Sequence, residues 1–165
     1  MNKEFLIVIP ARLESSRLEK KLLKEINGKT IIERTWRKCL ESRAQKVVVT
    51  TDSTEIYDLI IDLGGECYLS KEVHESGTDR INEYASSNLV APESLIINVQ
   101  ADEPLIDINS VNELAEFMAS NKYEYATLCK KFAEDEDLDD PNKVKVVFDG
   151  KGKALYFSRS RMLAN

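Results

Sequence analysis

The chain has 165 residues, 42% hydrophobic and 32% charged, with 29 Asp and Glu against 23 Lys and Arg for a net charge of −6. That length suits one domain with a full core, and the acidic balance argues against general nucleic-acid binding, which favours a basic surface. No apolar stretch approaches bilayer-spanning length and the first apolar run is too short for a signal-peptide core, so the expectation is a cytoplasmic protein with no membrane partner.

From the N-terminus, residues 5–9 (FLIVI) form a continuous apolar run, the pattern of a strand covered on both faces. It stops at Pro10-Ala11-Arg12, and a glycine-free polar turn follows, carrying Arg12, Arg17, Lys20, Lys21 and Lys24. Residues 30–42 predict a helix, with Ile31, Ile32, Thr35, Trp36, Cys39 and Leu40 at helical spacing. Residues 46–51 (KVVVTT) predict a second buried strand. Ser53 caps a helix to about residue 63, and Gly64-Gly65 ends it. Residues 66–69 predict a short third strand, Ser76 opens a helix to about residue 87, residues 94–99 (SLIINV) predict a fourth buried strand, and residues 108–120 a further helix. Beyond these, residues 123–132 suggest a strand and residues 133–140 an acidic loop. Residues 143–148 and 154–158 flank Asp149-Gly150-Lys151-Gly152 as a hairpin. The alternation predicts an α/β fold: an open, mostly parallel Rossmann-like sheet with helices on both faces.

Cys39, Cys67 and Cys129 form no C-x-x-C pair and His74 is the single histidine, which leaves a zinc site unsupported and predicts small, buried or half-buried thiols.

Ligands of such sheets bind beyond the C-terminal ends of the strands, which brings residues 10–24, 70–80 and 100–105 to one edge. In the first of these, Arg12 stands directly off the strand, and Arg17 and Lys21 are spaced to fold back over an anion. Neither common glycine-rich phosphate loop is present, so side-chain cations and backbone N–H groups would hold the phosphate. In the second, Ser76 and Asp79 form a capping box, Gly77 permits close approach to a helix N-terminus, and Arg80 is placed to reach a base or ribose; His74 suits a structural hydrogen bond. In the third, an apolar strand ends in Gln100-Ala101-Asp102-Glu103-Pro104. Asp102 is the better candidate ligand for Mg²⁺ shared with phosphate oxygens, and Gln100 is placed to orient a second substrate. Cations, a helix N-terminus and an acid at one edge suit a nucleoside triphosphate with Mg²⁺.

The segments IPARLESSRL, INGK, TTD, HESGTDR, NVQADEP, ATL, PNKVKVVFD and GKALYFSR occur in that order. This series resembles the CMP-Kdo synthetases, the 3-deoxy-manno-octulosonate cytidylyltransferases, over the N-terminal two-thirds of that family. The resemblance implies a nucleotide-diphospho-sugar transferase-like fold in one nucleotidyltransferase domain, residues 1–165, without the family's C-terminal portion. It also implies transfer of CMP from CTP to the 2-hydroxyl of 3-deoxy-manno-octulosonate (Kdo), with Mg²⁺ as cofactor and pyrophosphate as product, for lipopolysaccharide synthesis.

Carried over by position, Ala11, Arg12, Ser16, Arg17 and Lys21 would form the phosphate segment, with Arg12 and Lys21 catalytic. Ser76, Gly77, Thr78 and Arg80 would line the nucleoside pocket, Asp102 would bind the metal and act in catalysis, and Gln100 and Arg159 would bind the sugar acid, Arg159 through its carboxylate.

The chain departs from the family where Glu19-Lys20 replaces the usual Pro-Gly, Leu22 a Pro, Ala101 a Gly, and Ser160-Arg161-Met162-Leu163 an Ile-Pro continuation. Glu19 adds negative charge where phosphates would sit. The shorter span implies a truncated member, a fragment, or half of a split enzyme completed by a homodimer partner or a second chain. The alternatives are a non-catalytic nucleotide-binding or subunit-like protein, or a different sugar nucleotidyltransferase.

Overall fold

The structure, a computed structural model, describes residues 4–13, 20–87, 89–121 and 123–162. It falls into two compact units, Met1–Ala126 and Thr127–Asn165.

In the first unit, β1 (Phe5–Ala11) leads to a 3-10 turn (Lys21–Leu23), then β2 (Glu25–Ile26), β3 (Lys29–Thr30) and α1 (Ile31–Cys39). There follow β4 (Lys46–Thr51), α2 (Thr54–Asp62), β5 (Glu66–Leu69), α3 (Gly77–Ala85), β6 (Leu95–Asn98) and α4 (Ile108–Ser120). The main sheet has the order β5-β4-β1-β6 with every pairing parallel, as the alternation of apolar runs and helical segments predicts.

β1 is central, and its period-two alternation splits the core. Ile7, Ile9 and Ala11 pack with Ile32 and Trp36 of α1, Ile56 and Ile60 of α2, and Val111 and Ala115 of α4. Leu6 and Val8 face Ile81 and Tyr84 of α3 on the other side. Burial on both faces explains why β1 is apolar at successive positions.

Helix starts follow local chemistry. The side chains of Thr30, Ser53, Ser76 and Asp107 accept backbone N–H bonds at the first turns of α1, α2, α3 and α4. α2 ends at Gly64, with φ +78°, and at Gly65 an added Cβ would lie 2.8 Å from Ile60 Cγ2 and from a ring carbon of Trp36. The β2–β3 hairpin was not foreseen. Its turn residues Asn27 (φ 50°) and Gly28 (φ 72°) both adopt the left-handed region, as an Asn-Gly hairpin turn requires.

In the second unit, β7 (Lys145–Phe148) and β8 (Ala154–Ser158) pair antiparallel around the expected turn. Asp149 Oδ1 accepts the N–H groups of Lys151 and Lys153, and Gly152 has φ +82°. The strand suggested over residues 123–132 does not form. Tyr125 is 90% exposed and no neighbouring strand among the described residues pairs with the segment, so its apolar residues lack the ladder partner a strand needs.

Among the described residues no helix is long and apolar enough to cross a membrane. Cys39 is buried and Cys67 half-buried, and burial pushes both thiols up to about 12, which keeps them protonated, whereas Cys129 is exposed, against the expectation of a buried or half-buried thiol.

Candidate nucleotide site

Parallel pairing puts the C-terminal ends of β1, β4, β5 and β6 at one edge of the sheet. β1 lies between β4, which follows it in the chain, and β6, which joins on its other side. Connections therefore leave in opposite directions at β1 and open a crevice there. Arg12, exposed, is the first residue past β1, and Asp102, exposed, follows the end of β6. The guanidinium-bearing residue and the acid expected to act together thus leave neighbouring strands at the same edge.

Lys21 reaches this crevice from the 3-10 turn. Leu22 anchors that turn in the core, and Lys24 carbonyl oxygen accepts the N–H of Ile31 at 3.0 Å, tying the turn to the start of α1. The Lys21 ammonium lies 2.5 Å from Asp102 Oδ2, with both side chains about two-fifths exposed (40% and 43%). Asp102 sits in a tight turn closed by the Glu103 N–H donating to Gln100 oxygen at 3.2 Å, with Gln100 and Glu103 exposed. Leu22 and Ala101, two of the substituted positions, both turn into the core. Lys20, a third, takes φ 49°, a conformation that favours glycine, and its ammonium pairs with Glu55 at 2.7 Å.

The N-terminus of α3 borders the end of β1. Ser76 Oγ accepts the Asp79 N–H at 3.1 Å, the expected cap, and donates to Asp79 Oδ2 at 2.6 Å, so the Asp79 carboxylate takes the Ser76 hydroxyl in place of the backbone N–H of a capping box. A Cβ on Gly77 would meet the Pro10 ring at 3.0 and 3.2 Å, so the group that approaches this helix start is Pro10 itself. Ser76 and Thr78 are exposed beside it.

Two expectations change. Arg80 does not reach outward for a base or ribose: it is 2% exposed, donates from Nη1 to Ala11 oxygen at 2.7 Å, and pairs through Nη2 with Asp52. A buried guanidinium needs such partners, and Arg80 therefore holds the ends of β1 and β4 together beneath the site. Ala11 is fully buried, with its carbonyl engaged by Arg80, so it underlies the phosphate segment and does not face it. Asp52 entered the sequence analysis only as the last residue of the TTD segment, with no role assigned, although an acid directly after the strand KVVVTT was a visible signal.

His74 makes the structural bond expected of it, to Glu83. Burial alone would raise Glu83, but the Lys71 N–H, His74 and Tyr68 hydroxyl outweigh it and hold the carboxyl at about 2. Ser16 and Arg17 lie outside the described residues. Arg159 belongs to the second unit, is exposed, and donates to Pro141 oxygen at 2.8 Å, while Gln100 belongs to the first.

No group of three or more His, Cys, Asp or Glu able to hold a metal exists among the described residues. Asp102 alone, already facing a cationic ammonium, fits a Mg²⁺ ion shared with phosphate oxygens and waters; it does not fit a cage built by protein alone.

A family model described as cytidylyltransferase matches residues 6–165. The chain belongs to the cytidylyltransferase family. Within that family, the 3-deoxy-manno-octulosonate cytidylyltransferase of Francisella tularensis subsp. novicida (strain U112) is 42% identical over 155 residues, 93% of this chain and 62% of the relative. The enzyme of the same name from Legionella pneumophila (strain Corby) is 42% identical over 160 residues, 97% of this chain and 64% of its own. A solved structure of CMP:2-keto-3-deoxy-manno-octonic acid synthetase complexed with CTP matches with a TM-score of 0.88 at 37% identity, covering 97% of this chain and 66% of that one. This cytidylyltransferase-family chain thus bears out the motif resemblance, while spanning about 62% of the length of the first relatives it matches. A cytidylyltransferase from Leptospira borgpetersenii, 21% identical with a TM-score of 0.62, shares the fold.

Proposed function

We propose that this chain handles the nucleotide in a cytidylyl transfer from CTP to Kdo, in the cytoplasm and for lipopolysaccharide synthesis. The observation that carries the reading is the Lys21–Asp102 pair at the crevice beside Arg12, a cation and an acid poised where a magnesium-bound triphosphate needs both. The names of the relatives, and of the solved CTP complex, support the choice of base and acceptor.

In this reading the sugar 2-hydroxyl oxygen bonds to the α-phosphorus, the bond from that phosphorus to the β-phosphate bridge breaks, pyrophosphate leaves, and the hydroxyl proton passes to solvent. Arg12 and Lys21 would stabilise the charge that gathers on the phosphate oxygens. Lys21 is free to transfer, because a half-exposed ion pair is worth only about 0–1 kcal/mol. Asp102, once released, would hold Mg²⁺, which when bound supplies charge neutralisation and lowers the pKa of the attacking hydroxyl. Ser76 and Thr78, exposed at the start of α3, would face the nucleoside, with Gly77 packed on Pro10 between them. Gln100 would contact the sugar acid.

The test is pyrophosphate release with CTP, Mg²⁺ and Kdo. Asp102→Ala should abolish most of the rate; equal rates in wild type and variant would remove Asp102 from the mechanism. Preference for UTP or ATP over CTP would overturn the choice of base. CTP binding without any release would point to a nucleotide-binding protein in place of an enzyme.

A further inference from the structure

Thr35 is fully buried on α1, and its hydroxyl lies 2.9 Å from the carbonyl oxygen of Ala101, 66 residues away in sequence. A helical threonine ordinarily bonds back to the carbonyl one turn earlier, here Ile31 oxygen at 3.1 Å. With one hydrogen to donate, the shorter contact favours the loop. Ala101 is itself buried at 5% exposure, so its carbonyl has little access to water and depends on this donor. The next residue is Asp102.

The same helix also holds the other half of the pair. Ile31, at its first turn, donates to Lys24 and closes the segment that carries Lys21. One turn later Thr35 holds the turn that carries Asp102. α1 is therefore a strut between the two, and the 2.5 Å approach of Lys21 to Asp102 is set from beneath.

We propose that Thr35 is a positioning residue for Asp102: its buried hydroxyl fixes the Gln100–Asp102 turn so that the carboxylate faces the nucleotide phosphates. The proposal rests on the reading of Asp102 given above, and its test separates the two. Thr35→Val keeps the shape and removes the donor, while Thr35→Ser keeps the donor. Hydrogen exchange of residues 98–106 in ligand-free protein is measured together with the Mg²⁺ dependence of pyrophosphate release.

Thr35→Val should speed exchange of that segment about tenfold and raise the Mg²⁺ concentration for half-maximal rate about tenfold, the usual scale for losing a group that orients a metal ligand. Its KM for CTP should move less than about twofold, since the other phosphate contacts remain. Thr35→Ser should stay within about twofold of wild type on every measure. Should the valine variant fail to fold, Thr35→Cys, a weaker donor, should give intermediate exchange. Wild-type exchange and Mg²⁺ dependence in the valine variant would overturn the proposal, as would a defect that serine fails to rescue. If the wild-type chain shows no turnover at all, the cytidylyl-transfer reading fails, and the exchange measurement still decides the role of Thr35.

Discussion

The Lys21 ammonium rests 2.5 Å from Asp102 Oδ2, joining residues 81 apart in sequence across the crevice between the ends of β1 and β6. Each is the other's counter-ion until something more highly charged arrives. Removing Lys21 should therefore have opposite effects on two ligands. In Lys21→Ala, Mg²⁺ alone should bind up to about fivefold more tightly, the scale of a half-exposed ion pair. CTP should bind about 10- to 100-fold more weakly through loss of a charge-assisted phosphate contact. Titration calorimetry with each ligand checks both; unchanged CTP affinity would separate Lys21 from the phosphates.

Arg80 is the structural counterpart of that pair. Its buried guanidinium bridges Ala11 oxygen and Asp52, so Arg80→Met should cost about 3 kcal/mol by leaving both acceptors without their donor. Urea unfolding measures this. A loss below about 1 kcal/mol would mean that water replaces the guanidinium and that the strand ends do not need the bridge.

At Lys20 the backbone holds φ 49° with a side chain that disfavours it, while the ion pair to Glu55 offsets part of the strain. With that pair already removed by Glu55→Gln, Lys20→Gly should raise stability by about 0.5 to 1 kcal/mol. Comparing denaturation midpoints of the single and double variants is the check, and a lower midpoint in the double variant contradicts the strain.

Glu83 gives a pH signature. Its carboxyl lies near 2 in the folded chain against an ordinary 4.5, because the Lys71, His74 and Tyr68 donors outweigh the effect of burial. A depressed acid contributes stability that is fully present above its unfolded value and lost as pH falls toward its folded one. The advantage of wild type over Glu83→Gln should therefore shrink as pH falls from about 4.5 toward 2. Unfolding midpoints across that range test it; a parallel decline in both proteins would assign the acid sensitivity elsewhere.

The parallel sheet was legible because a strand buried on both faces leaves an unbroken apolar run, as in residues 5–9, with little to confuse it with a loop. The starts of α2 and α3 were legible because Ser53 and Ser76 act on N–H groups only three residues away. The β2–β3 hairpin was missed, although Asn27-Gly28 signals it, because two-residue strands carry no periodicity to flank the turn. The strand over residues 123–132 failed for the reverse reason: its composition suits a sheet, but pairing is not a local property.

The linear order of residues was enough to specify which segments become strands and helices, and which strand ends carry cations and acids. It left open whom those charges would face. Lys21 and Asp102 meet because β6 joins β1 on the side away from β4, and Arg80 turns inward because Ala11 and Asp52 present acceptors beneath it. Strand order and inward packing arise from contacts 28 to 81 residues apart, and a helical or strand period reaches only a few residues along the chain.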